Sequence, residues 1–107
     1  GSVGGVEVIL DAMRKHGESL GLQEHGCCVL RHLVNNDEHR VKLGRAGGIE
    51  VILDSMRKHG ASQVIHWQGL GVLFQLVTTD ENKDKVVRAG GVEATVEGMK
   101  RHCGSEE

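Results

Sequence analysis

Three groups of residues in this chain have types and spacings suited to chemistry. The first is His25-x-x-Cys28-x-x-x-His32. Spacings of three and four set these side chains on one face of a helix, and imidazole and thiolate both suit Zn²⁺. A tetrahedral site needs a fourth ligand, and His39 is nearest in sequence. Two other readings stand beside the metal: contacts to a partner, or plain surface residues, because isolated motif matches are commonly accidental. The second group is basic, Arg14-Lys15-His16, Arg57-Lys58-His59 and Lys100-Arg101-His102. Aligned along one edge it would take an acidic segment or a phosphate. The simpler reading is preferred: cations at a helix C-terminus offset the macrodipole, with Asp11, Asp54 and Glu97 as partners one turn earlier. The third group is Trp67 and Phe74, seven residues apart and flanking Gly71 on one helical face. Two rings beside a glycine make a pocket for a partner's side chain, and aromatics are favoured interface anchors; the other reading is that they only pack.

Enzyme signatures are missing. The chain has no Gly-x-Ser-x-Gly, no phosphate loop and no His-Glu-x-x-His. Three of its seven histidines, His16, His59 and His102, are one repeated position. No cofactor is expected. With 13 Lys+Arg against 15 Asp+Glu the net charge is −2, which gives nucleic acid nothing to bind non-specifically. Trp67 and Phe74 are the only aromatics, too few for base stacking. No apolar run approaches the roughly 18 residues of a membrane span. The three cysteines, two of them adjacent, suit a reducing interior, cytoplasm or nucleus, better than a disulfide framework. Gly1-Ser2 reads as a remnant of expression.

The elements that must position these groups come from a repeat. Gly4-Gly5-Val6-Glu7-Val8-Ile9-Leu10-Asp11 returns as Gly47-Gly48-Ile49-Glu50-Val51-Ile52-Leu53-Asp54, and in worn form from Gly90. Sliding 4–46 onto 47–89 leaves 23 of 43 positions identical without a gap. A self-similar period of this length means a repeat architecture. Each period reads as three helices. A short first helix follows Asp37-Glu38 or Asp80-Glu81, with the aspartates as N-caps, and ends at a double glycine. The second starts at Gly5, Gly48 or Gly91, buries Val6, Ile9, Leu10 and Met13 as one stripe, and closes on the basic triplet. The third, about 19–35 and 62–78, buries Gly26, Cys27, Leu30, Leu33 and Val34, matched by Gly69, Leu70, Leu73, Leu76 and Val77. Gly26 and Gly69 imply close approach of a neighbouring helix. Cys27 should be buried, Cys28 more accessible and Cys103 most accessible.

The all-helical 43-residue period resembles the armadillo repeat. Asp-Glu-(x)6-Arg-Ala-Gly-Gly-(Ile/Val)-Glu is similar to that family's junction between first and second helices. Gln23-Glu24-His25-Gly26-Cys27-Cys28-Val29-Leu30 is similar to its third helix. The resemblance implies an all-α, right-handed superhelical solenoid of three-helix repeats. It would form one domain over 1–107: 4–46 lacking its first helix, 47–89 complete, 90–103 partial and 104–107 a polar tail. It also implies a protein-interaction scaffold, an excerpt of a longer intracellular array, that holds a peptide or protein along its third helices. The residues implied are Arg31, His32, Trp67, Gly71, Phe74 and Gln75. His25, Cys28 and His32 fall at the family's groove positions for acidic, tryptophan and asparagine residues, and this sequence departs from them in both units. Two alternatives remain at this point: a metal-binding module through His25, Cys28 and His32, or a structural fragment that only self-associates. Both ends of the solenoid are expected to show apolar stripe to water, Val6, Ile9 and Leu10 at one and Val92, Val96 and Met99 at the other. A closed homodimer would cover it.

Overall fold

Ser19, Asn36, Ser62 and Thr79 sit in extended backbone, and each side chain accepts a hydrogen bond from the amide three residues on. That satisfies an orphan donor and starts a helix. In the computed structural model, which describes residues 3–103, seven helices follow from such signals: α1 Val3–Lys15, α2 Leu20–Leu33, α3 Asp37–Arg45, α4 Gly48–Lys58, α5 Gln63–Leu76, α6 Asp80–Arg88 and α7 Gly91–Cys103. The chain is all-helical over those residues. Gly1-Ser2 and the 104–107 tail lie outside the described residues. The caps of α3 and α6 are Asn36 and Thr79, not Asp37 and Asp80. The aspartates stand one residue inside, where their charge still favours the helix N-terminus.

The double glycine has two separate causes. Gly47 and Gly90 take φ of 85° and 86°, the left-handed region that side chains rarely adopt. Gly48 and Gly91 have ordinary φ, but a Cβ there would lie 2.4 Å from Leu43 Cδ1 or Val86 Cγ1. The first glycine turns the chain and the second lets α4 or α7 sit on the end of the preceding short helix.

The helices stack by type, 43 residues apart. α2 packs on α5, α1 on α4 and α4 on α7, and α3 on α6. Leu10, Leu30, Leu43, Ile52, Ile65 and Leu76 are fully buried between these stacks. Met13 fills the space left by Gly26 and Met56 that left by Gly69, where a Cβ would come within 2.6 and 3.0 Å of sulfur. Close approach at both glycines is as the sequence implies.

One end of the expected apolar edge is corrected. Val6 and Leu10 are buried, because α1 packs on α2 and on the following repeat. The residues exposed at that end are Val8 and Val29, whose repeat mates Val51 and Val72 are buried. Ile9 is half-buried. A single helical stripe does not reveal which of its two flanks packs within a repeat and which packs between repeats. At the other end Val92, Val96 and Met99 are exposed as expected.

Candidate functional site

The basic triplets are fasteners between repeats. Arg14 Nη2 donates to the Ala46 carbonyl at 2.7 Å, and Arg57 Nη2 to the Ala89 carbonyl at 2.9 Å. Each caps the C-terminus of the next short helix, where carbonyls lack intrahelical partners. Gly47 and Gly90 leave room for these guanidinium groups. In the other direction, His59 Nε2 bonds the Gly17 carbonyl at 2.7 Å and His102 Nε2 the Gly60 carbonyl at 2.9 Å. Asp11–Arg14 and Asp54–Arg57 ion pairs also form, at 3.2 and 3.8 Å. The repeated basic triplet was the signal, but only stacking reveals that Arg14 reaches forward, His102 reaches back, and the middle triplet reaches both neighbours through Arg57 and His59.

The structure places His25, Cys28 and His32 along the outer side of α2. His25 and His32 are exposed, and each turns Nδ1 to a carbonyl of its own helix, Gly21 at 2.8 Å and Cys28 at 2.9 Å. Among the described residues no three His, Cys, Asp or Glu side chains converge as a metal site would require. Cys28 is half-buried and Cys103 exposed. Cys27 is buried between helices, and loss of solvent, with the nearby Cys28 and Glu24 charges, pushes its thiol up to about 12.

The surface that remains is the outer face of α2 and α5. These helices pack side by side, so a residue of α2 and its mate in α5 stand in adjacent rows. Trp67, Gly71 and Phe74 follow one another at i, i+4 and i+7 along α5. Phe74 is 69% exposed and Trp67 43%. The Arg31 side chain crosses from α2 and lies over Gly71, where a Cβ would stand 2.6 Å from its Nε. Its Nη1 donates to Gln68 Oε1 at 3.1 Å. Glycine at 71 is therefore what admits the guanidinium between two ring positions. Gln75 is half-buried and held from the far side, since Arg40 Nη2 donates to its Oε1 at 2.9 Å while Arg40 Nη1 pairs with Asp37 at 2.9 Å. Glu24 accepts from Ser62 Oγ at 2.9 Å. The structure thus gathers Arg31, Gly71, Phe74 and Trp67 on one surface, fixes Gln75 at its border, and leaves His32 bonded to its own helix. Arg40 and Gln68, which hold this surface in place, have no sequence motif to mark them.

A second cluster escaped the sequence entirely. Gln23, buried in α2, donates through Nε2 to the carbonyls of Met13 at 2.9 Å and His16 at 3.1 Å, and its Oε1 accepts from Ser55 Oγ of α4. One repeat later the same places hold His66 and Gly98. His66 is buried, stacks on His102 with ring centroids 4.9 Å apart, and meets Trp67 edge-on at 4.6 Å. Its Nε2 has no hydrogen-bond partner among the described residues. Gly98 is where the ring fits: a Cβ there would lie 2.2 Å from His66 Nδ1. Burial, and then the charge of His102, hold the His66 imidazole below its ordinary pKa.

No helix among the described residues is long and apolar enough to cross a membrane. The chain matches no protein-family model, no curated protein and no solved structure.

Proposed function

We propose that this chain is an armadillo-type solenoid segment whose outer α2/α5 surface binds a protein or peptide inside the cell. The 43-residue period and the stacking of like helices support the solenoid reading. The observation that carries the binding reading is the pair of exposed rings. The only two aromatic side chains of the sequence both stand on the outside of α5, astride a glycine occupied by an arginine. A fold with no use for a partner gains nothing by leaving both rings in water, and aromatic and arginine side chains together dominate interface energetics. The chemistry favours a segment that presents an apolar side chain to the rings and a carboxylate to Arg31. The role is binding rather than catalysis, and no cofactor enters it.

The test is selection of peptides from a displayed random library against the protein. Selected peptides should combine an acidic residue with an apolar or aromatic one. Phe74→Ala should weaken them at least tenfold, and Arg31→Ala should remove the preference for the acid. Peptides indifferent to both substitutions would overturn the reading.

A further inference from the structure

We infer that α7 is a self-pairing helix, and that a second copy of this chain covers it in antiparallel register about a two-fold axis close to Val96. Phe74 borders both this surface and the α2/α5 face, but the charge pairs that argue the inference lie on α7 alone. The starting point is a difference between repeat mates. Ile49, Leu53 and Met56 on α4 are 0%, 0% and 8% exposed, whereas Val92, Val96 and Met99 on α7 are 55%, 47% and 45% exposed. On α4 that stripe is covered by α5, which returns antiparallel after a four-residue connection. Beside α7 the same place is an apolar groove of about 380 Å³, walled by Leu70, Phe74 and Val77 of α5, Val86 of α6, and Val92 and Val96 of α7. The groove continues an interface already present in the molecule, so the occupant it fits is a helix running antiparallel to α7.

α7 itself has the pattern of that occupant. Val92, Val96, Met99 and Cys103 are spaced four, three and four, the seam of a paired helix. Glu93 and Lys100 flank the seam on the same side, and both are exposed. Neither has an ion-pair partner among the described residues. Turning a second α7 antiparallel about a point near Val96 sets Glu93 of each copy opposite Lys100 of the other. A parallel pair would place the two copies' Glu93 and Lys100 on opposite sides of the seam, where they could not meet. The contact is self-complementary and closes at two copies.

The experiment is sedimentation of the wild-type chain and of three exposed-site variants, with circular dichroism to establish that each is folded. Wild type at tens of micromolar should show a mass near twice 11.6 kDa. Val96→Asp should raise the dimer dissociation constant at least a hundredfold. Glu93→Lys and Lys100→Glu should each raise it about tenfold or more, yet an equimolar mixture of those two should dimerise as well as wild type, since the mixed pair restores both contacts. A wild-type monomer, or charge variants whose mixture gains nothing, would overturn the inference. The charge exchange involves only α7 residues outside the α2/α5 surface, so it separates this inference from the peptide-binding reading.

Discussion

The joint between the first and second repeats and the joint between the second and third are built on the same plan and finished differently. Arginine to helix-end carbonyl and histidine to glycine carbonyl recur with matching partners, 2.7 against 2.9 Å in both cases. What differs is the buried polar position. The first joint carries an amide that gives its hydrogens to two carbonyls and takes one from Ser55. The second carries an imidazole stacked on another imidazole, with a buried nitrogen unbonded among the described residues. Bonds to the backbone survive sequence drift because every residue supplies a carbonyl. A side-chain network needs two partners to change together, and Gly98 is the partner that made room for His66. The first joint therefore has its buried polar position satisfied by an amide, and the second holds a titratable ring there.

The largest expected effect separates covered from uncovered positions of one repeat site. Leu53→Ala should destabilise by about 2–5 kcal/mol, as for a fully buried aliphatic side chain. Val96→Ala, its mate on α7, should cost less than about 1 kcal/mol to a monomer at dilution, because little cavity forms where the side chain is half in water. Equal costs in chemical denaturation would mean that α7 is covered like α4.

The joint chemistry predicts a smaller, pH-dependent effect. His66 is held neutral in the fold, while the unfolded chain protonates near the ordinary 6.5. The folded state then binds fewer protons, so stability is full above that pH and is lost as pH falls below it. Replacing His66→Gln together with Gly98→Ser rebuilds the first joint's pair in the second. Denaturant midpoints measured from pH 7.5 to 5 should decline less in the double variant than in wild type. Parallel declines would assign the acid sensitivity elsewhere. The smallest effect concerns thiols. Native labelling should proceed in the order Cys103, Cys28, Cys27, with Cys27 inert up to pH 9 because its thiol is both buried and pushed up to about 12. Early modification of Cys27 would contradict the packing of α2.

Much of this was legible in the residues. The repeat, the helix types and the close approach at Gly26 and Gly69 follow from period and spacing, which local physics fixes. Three features were not legible. Val6 and Leu10 read as an edge because a stripe has two flanks, and only tertiary packing decides which one meets water. His25, Cys28 and His32 share a helical face, but the sequence does not tell that His25 and His32 each turn Nδ1 to a carbonyl of their own helix, or that no further His, Cys, Asp or Glu joins them among the described residues. The Arg14–Ala46 and His59–Gly17 bonds end on backbone carbonyls, which carry no sequence signal. Trp67 and Phe74 were legible for the opposite reason. Their mates Glu24 and Arg31 are charged, so that face is not obligatory core.

The α2/α5 face is the proposed binding surface. Backbone amide shifts of the labelled protein, followed while a selected peptide is titrated in, test it most directly. The largest changes should fall on Arg31, Gln68, Gly71 and Phe74 and on the Trp67 indole, with α6 unmoved. Changes centred on α7 or on the α3/α6 side, with the Trp67 indole unshifted at saturation, would contradict it.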